Sequence, residues 1–479
     1  MKKENTSSRK PPVKSKSTPV QSELSKFTKP ENYEKGKALR DKCPREVHAK
    51  WRPATGRPDP VALVLEAEEG RMPDLLPLRH GRMAQSPFTF YRGTALNMAA
   101  DLAGTPSSGI RIQCCGDAHL LNFGGFATPE RRVILSINDL DETNPAPWEW
   151  DLKRLTTSFV IACRDNGLGE STERDMALAC TRAYREHMRA FSKMNVMELW
   201  YHALDAETLI AGIDDPDIRS RAVKRLTKEK EKAGKVAEDI FPKLAEETIG
   251  GKYLIKDQLP AIFHLGNITP GDVEDALNEA FQNYRSTLAP AYQVLLDHFK
   301  VMDAAIKVVG IGSVGTYCWV MLLMDADGNP FFLQVKEART SVLEKFAGKS
   351  VFDNHGQRVV HGYRLMQPYS DIFLGWTHGR LQHKDYYIRQ LRDMKIKFAV
   401  ETFGKAEMEG YANWCGQALA LSHARSGDSS RISGYMGKSE TFDEALATFS
   451  VRYADQNEKD YARFRRAVRT GKVEAVFED

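Results

Sequence analysis

Arg111-Ile112-Gln113-Cys114-Cys115-Gly116-Asp117-Ala118-His119-Leu120-Leu121-Asn122-Phe123-Gly124, and after a short gap Arg132-Val133-Ile134-Leu135-Ser136-Ile137-Asn138-Asp139-Leu140-Asp141-Glu142, read as strand, loop, strand, loop. Each apolar run stops at a Gly-Asp or Asn-Asp pair, and such turn residues explain why the strands end there. They do not explain why each loop begins with a carboxylate. Two carboxylates and an amide delivered by adjacent strand ends form an oxygen ligand set for Mg²⁺, a hard cation.

Downstream, Gly310-Ile311-Gly312-Ser313-Val314-Gly315 follows the strand-like Ile306-Lys307-Val308-Val309. A Rossmann dinucleotide site needs a helix after such a loop. Here Thr316 to Leu323 is β-branched and aromatic, so a strand follows instead. A glycine loop between two strands suits a kinase lid, whose backbone N–H groups lie over ATP phosphates. Such a lid needs a lysine on a following strand, and Lys336 ends Phe331-Phe332-Leu333-Gln334-Val335-Lys336.

Around these two centres the chain alternates helical and strand patterns. Pro60 opens a helix through Leu65. The aromatics of Pro87-Phe88-Thr89-Phe90-Tyr91-Arg92-Gly93 pack into a core. Arg79, Arg82 and Arg92 are read as structural salt bridges in preference to phosphate contacts. Leu152, Leu155, Phe159, Val160 and Cys163 mark one face of a helix, with Asp151 near its start to accept loose backbone N–H groups. Residues 172–247 read as almost wholly helical, Thr269-Pro270 opens a further helix, and Tyr386 to Leu391 forms a strand. Met408, Tyr411, Cys415, Leu419 and Ser422 line an amphipathic helix closing at His423–Asp428, and two more helices end the chain.

With 479 residues the chain exceeds one small core. Its 42% apolar and 28% charged residues are those of an ordinary globular protein, and a net charge of +4 argues against a whole-protein nucleic-acid or membrane role. Seven scattered cysteines fit neither a metal knuckle nor a disulfide framework, and suggest a reduced, cytoplasmic setting. No apolar run approaches membrane-spanning length. The Lys-, Ser-, Thr- and Pro-rich start lacks the apolar region of a secretory signal, and is read as a disordered basic tail able to touch anions.

Gly116-Asp117-x-His119-x-x-Asn122 resembles the catalytic loop of the aminoglycoside phosphotransferase and choline kinase branch of the protein-kinase-like fold. The resemblance implies that Asp117 orients or deprotonates an acceptor hydroxyl, that His119 supports the catalytic loop, and that Asn122 and Asp139 bind metal, with Asp141 as alternative or additional ligand. It implies that Asp151 braces the catalytic loop, and that a glutamate pairs with Lys336. Glu344, one helix onward, is the first choice; Glu337 points elsewhere, and His361 cannot replace a carboxylate. The chain also resembles an uncharacterised bacterial family, domain of unknown function 2252. The matching stretches are Ser86–Gly93, Gly116–Gly124, Asn138–Glu142, the Gly310 loop, Leu333–Ala338 and Leu419–Asp428.

In an ordinary kinase the glycine loop and lysine precede the catalytic loop. Here the order is reversed, which implies circular permutation. The expectation is an α+β, protein-kinase-like two-lobed fold, circularly permuted, with a small antiparallel sheet lobe and a largely helical lobe. The expected parts are a tail (1–50), a large lobe with the catalytic and metal loops (51–300), a small lobe (301–405) and returning helices (406–479). The expected activity is phosphoryl transfer from ATP, with Mg²⁺, to a hydroxyl of a small-molecule acceptor. Gly310, Gly312, Ser313, Gly315, Lys336 and Glu344 would serve the nucleotide. Competing readings are AMP transfer on the same fold and a nucleotide-binding pseudokinase. A metallohydrolase built on His119, Asp117 and Asp139 leaves the glycine loop and Lys336 unexplained.

Overall fold

A computed structural model describes residues 26–478 apart from 233–235, 249–251, 266–269 and 392–394. Residues 1–25 of the basic tail expected over 1–50, and the cap expected at Thr269, lie outside the described residues. The architecture is mixed α+β, with small antiparallel sheets.

The helix Glu149–Asp165 is the spine. Every residue from Glu149 to Cys163 is buried, charged ones included. A helix covered on all sides belongs inside a bundle, and here it packs with Glu170–Phe191 and Thr441–Arg469, while Lys405–Ser426 packs extensively on Glu170–Phe191 and touches the spine. Just before the spine, Trp148 stacks on Tyr184 with ring centroids 5.6 Å apart. Burying such aromatics contributes most of the apolar area that holds a core together.

Ordered chain was expected near Trp51 but begins earlier. Thr28 caps a helix at Lys29–Ala38 in a capping box with Glu31. That helix packs on Ser429–Met436. The two backbones meet at glycines: a Cβ on Gly36 would stand 2.0 Å from Arg431 O, and one on Gly434 2.0 Å from Tyr33 O. The low apolar content of this segment hid it, because its anchor is close backbone approach and not a greasy face.

Six strands form the larger sheet, in the order Gly375–Gly379, Lys384–Gln390, Pro330–Glu337, Cys318–Met324, Lys300–Lys307 and Ile262–Phe263, all antiparallel. The strand expected from Ile306 begins at Lys300, and Gly375–Gly379 was not foreseen. Side chains alternate along a strand. Leu333 and Val335 therefore enter the core with Phe281 and Tyr284, while Gln334 and Lys336 face the other way. Register sets Lys336 against Tyr387 and Gln334 against Arg389, so these four side chains share one face.

A second sheet orders Lys395–Ile396, Phe123–Ala127, Val133–Ile137 and Leu204–Asp205, and Arg111–Cys114 pairs separately with Asn144–Pro147. The loop headed by Asp117 follows Arg111–Cys114, and the loop headed by Asp139 follows Val133–Ile137 and meets Lys336 of the larger sheet. Among the described residues no helix is long and apolar enough to cross a membrane. All seven cysteines are buried and unbonded.

Candidate active site

The loop after Arg111–Cys114 turns at Gly116, whose φ is +86°. A Cβ there would also meet Glu142 O at 2.3 Å, so only glycine lets the two acidic loops touch. Asp151 secures the turn from the spine helix: its carboxylate accepts from Cys115 N at 2.6 Å and Gly116 N at 2.9 Å. His423 Nε2 stands 3.1 Å from the same carboxylate, and Tyr184 OH lies 2.8 Å from His423 Nδ1. Cys114, Asp151 and His423 cluster closely enough to suggest a metal. These hydrogen bonds already occupy both Asp151 oxygens, and they describe a brace.

One helical turn on, Arg154 Nε donates to Asp117 Oδ1 at 2.6 Å and Nη2 to Tyr91 O at 3.0 Å. That leaves Asp117 Oδ2, which lies 3.9 Å from His119 Nε2. His119 is 4% exposed, and burial pushes its imidazole down to about 4 even beside Asp117. It is neutral at pH 7, and its Nδ1 is buried without a hydrogen-bond partner among the described residues. Asn122 Nδ2 donates to Asp117 O at 2.8 Å, which frees Asn122 Oδ1 as an acceptor.

Lys336 Nζ reaches Asp139 Oδ2 at 3.3 Å and Asp141 Oδ2 at 2.6 Å, across 197 positions of chain in the first case. Burial alone would raise Asp139, but Lys336 and then Arg389 outweigh it and hold this carboxylate well below the usual range. Asp141 moves the other way, raised by burial and by the charge of Asp139. The ammonium of Lys336 is held above its ordinary value because the two aspartates overcome its desolvation. Tyr387 OH donates to Asp141 Oδ1 at 2.7 Å, and Tyr363 OH to Asn138 O at 3.0 Å.

The glycine loop makes a short 3-10 turn, Ile311–Ser313. Arg71 holds it, donating to Gly312 O at 2.9 Å and Val314 O at 2.7 Å, while Gly315 O accepts from Met72 N. Gly315 has φ +84°, a conformation that favours glycine. Gly310 lies next to Arg92: a Cβ there would be 3.9 Å from Arg92 Nη2. Between this loop, Asp117 and the 339–349 segment lies a cavity of about 490 Å³, within the size range of small-molecule sites. A smaller one, about 240 Å³, lies behind the metal loop, with Asn138, Tyr363, Arg389 and Lys395 on its walls.

The structure therefore brings together Asp117, His119 and Asn122 in one loop, and Asp139, Asp141 and Lys336 in one cluster, with Gly312 on the wall that Asp117 also lines. It does not bring Glu344 to Lys336. Glu344 accepts from Ser341 N and Ser350 N and lies 3.8 Å from Arg358. The helix His355–Met366 carries no acidic residue at all, and Lys336 meets the carboxylates of Asp139 and Asp141 instead. Glu337 does point elsewhere, to Lys384 at 3.0 Å.

Three residues escaped the sequence reading. Arg154 lies one turn beyond Asp151, a spacing that would have found it. Arg389 is matched to Gln334 only through strand register. Arg92 was assigned to a salt bridge, yet it makes no hydrogen bond or ion pair among the described residues, and its Nε is buried without a partner. Its neighbours Arg79 and Arg82 do pair, with Glu68 and Glu478.

Over residues 71–467 the chain matches the model of a family described as an uncharacterized protein conserved in bacteria, domain of unknown function 2252, and it belongs to that family. No curated protein and no solved structure matches it.

Proposed function

We propose that this member of an uncharacterised bacterial family is an ATP- and Mg²⁺-dependent phosphotransferase of protein-kinase-like build, in circularly permuted order, acting on a hydroxyl of a small molecule. One observation carries the reading: Lys336 and the acidic loop meet at 3.3 Å and 2.6 Å although the chain separates them widely. A glycine loop, a lysine two strands on, and a carboxylate loop converging on one spot are the parts that phosphoryl transfer needs. The permuted order is supported by the end of Lys405–Ser426. That helix presses His423 on Asp151, and Ser426 Oγ donates to Gln113 O at 3.0 Å, beside the strand that feeds the Asp117 loop.

The donor set fits the implied metal. Asn122 Oδ1 and the carboxylates of Asp139 and Asp141 are hard oxygen ligands. When bound, Mg²⁺ supplies charge neutralisation at the transferring phosphoryl group. The chain's own residues do the rest. Lys336 neutralises phosphate charge, and the backbone of Gly310, Gly312, Ser313 and Gly315 covers the phosphates. Arg154 fixes Asp117 so that Oδ2 takes the acceptor's proton. The acceptor oxygen bonds to the γ-phosphorus as the bond to the β-phosphate bridge breaks, and ADP leaves with that electron pair. General-base help of this kind is worth about 10²–10⁴ in rate.

A second reading is a nucleotide-binding protein without turnover. The absence of an acidic partner for Lys336 on His355–Met366 favours it. The test is ATP turnover and product mass with Mg²⁺, in wild type, Asp117→Asn and Asp139→Asn. Turnover lost in both variants, with a phosphate added to the acceptor, supports the proposal. An added AMP moves it to nucleotidyl transfer, and full activity in both variants removes these residues from the mechanism.

A further inference from the structure

The cavity in front of Asp117 carries more positive charge than its fold accounts for. Arg71 donates to Gly312 O, Val314 O and Ala67 O, and Arg339 to Ala67 O and Glu69 O. Both give some of their five N–H groups to carbonyls and keep others for a ligand, and neither has an ion-paired carboxylate among the described residues. Arg92 makes no hydrogen bond or ion pair among the described residues, and its Nε is buried without a partner. Arg71 lies beside Arg79 and Arg339, and burial followed by their repulsion pulls its guanidinium well below its ordinary value. The carboxylates on the same walls are spoken for. Asp117 is held by Arg154, and Glu66 by Lys345. Glu142 accepts from Val342 N, and Glu344 from Ser341 N and Ser350 N; Glu69 is exposed at the rim. Withdrawing a charge from water costs several kcal/mol unless an opposite charge repays it. Here no carboxylate forms an ion pair with Arg71, Arg92 or Arg339 among the described residues, and for Arg71 and Arg92 burial outweighs the attraction of the nearby carboxylates. A guanidinium is also the side chain best shaped to grip a phosphate or carboxylate.

We propose that the acceptor carries an anionic group, a phosphate or a carboxylate, and that Arg71, Arg92 and Arg339 bind it in the cavity facing Asp117. The inference rests on the phosphotransferase reading for the word acceptor, and on the cavity alone for the word anionic. Arg92 is the pivot. It lies by Gly310, and the charges that raise its pKa against burial are those of Asp117 and Asp139. It lines the same cavity wall as Asp117 and Gly312, where an anchored acceptor would meet the proton-accepting carboxylate.

The shared chemistry has a second source, the phosphates of the nucleotide itself, and the experiment separates the two. Orthophosphate is titrated calorimetrically into the full chain, against chloride at equal ionic strength, with and without Mg²⁺ and a non-hydrolysable ATP analogue. Arg92→Ala and Arg339→Ala are measured alongside. The expected result is orthophosphate binding that persists with the analogue bound and weakens about tenfold or more in each variant, one charge-assisted contact being worth about that factor. Arg92→Ala is expected to melt no lower than wild type, since it gives up no contact, so lost binding there is not lost fold. Displacement of orthophosphate by the analogue overturns the proposal and gives the arginines to the nucleotide. No specific orthophosphate binding, or binding unchanged in both variants, overturns it outright. Arginine-dependent orthophosphate binding in a chain that does not bind the analogue upholds the anion site while the phosphotransferase reading falls.

Discussion

Two charged regions lie side by side in this molecule and are built on opposite terms. In the cluster of Lys336, Asp139 and Asp141, each charge has its opposite at 3.3 Å or less, with Tyr387 OH and Arg389 completing the set. In the neighbouring cavity, Arg71 and Arg339 are fixed by carbonyls and Arg92 by nothing among the described residues. The charges of the first region pair with one another. The second carries a desolvation cost that an arriving anion would relieve. The lesson is that an ion pair can hold a site together before its ligand arrives, whereas a charge without an ion pair is left for the ligand to answer.

The comparison breaks most readily at Lys336. Lys336→Met leaves two buried carboxylates without their cation and is expected to cost about 3–5 kcal/mol at neutral pH, read by denaturant unfolding. The pH dependence carries a sign. Asp139 is held low in the wild type, so its contribution is intact above the ordinary carboxylate range and is lost as pH falls through its folded value. Without Lys336, both carboxylates are pushed up and the native state binds the extra proton. The variant then gains stability as pH falls, and more steeply than the wild type, in which Asp141 alone is raised. A variant as stable as wild type at pH 7 would mean that the pair is not buried as described.

His119 gives the next largest effect. Its imidazole, pushed from 6.5 to about 4, is neutral in the native state where the unfolded chain is protonated. Stability is therefore lost as pH falls between these values, by about 3 kcal/mol at 1.4 kcal/mol per unit. His119→Gln should remove that part of the slope, and equal slopes in the two proteins would refute a buried neutral imidazole.

Arg79 sharpens the contrast with Arg92. Both come from the same short stretch, but Arg79 is paired with buried Glu68. Arg79→Ala is expected to cost about 2 kcal/mol, below the usual loss for a broken buried pair because His80 still faces Glu68. Arg92→Ala should cost nothing in thermal melting, and equal losses would erase the distinction between the two regions. The smallest expected loss belongs to Tyr387→Phe. It removes one hydrogen bond to Asp141 and should cost about 1 kcal/mol. A much larger loss would show that the cluster depends on the phenol more than on the lysine.

Local chemistry made half of this legible. The strand ends before Asp117 and Asp139, the glycine loop and the position of Lys336 follow from runs of a few residues, and short runs are what a sequence displays. Asp151 was legible for the same reason, sitting at the start of a periodic helix. What stayed hidden depends on distant partners. Glu344 looked like the natural match for Lys336 along the chain, but it serves backbone N–H groups of its own loop. The lack of a partner at Arg92 is a property of everything around it, which no local pattern encodes. The helix Lys29–Ala38 carries a readable capping box at Thr28 and Glu31, yet its packing on Gly434 is tertiary.

The long separation between Lys336 and Asp139 also sets a timetable. A polypeptide is made from its amino end, so the acidic loops exist 197 residues before their lysine does, and 272 residues part Asp151 from His423. Closing so wide a loop costs little more than closing a moderate one, since the entropy grows only with the logarithm of length. Speed is another matter, because contacts between distant segments form late. A ribosome that stalls before Lys336 releases a fragment in which Asp139 and Asp141 have no lysine to meet, and the contact of His423 with Asp151 waits until nearly the last helix has been made.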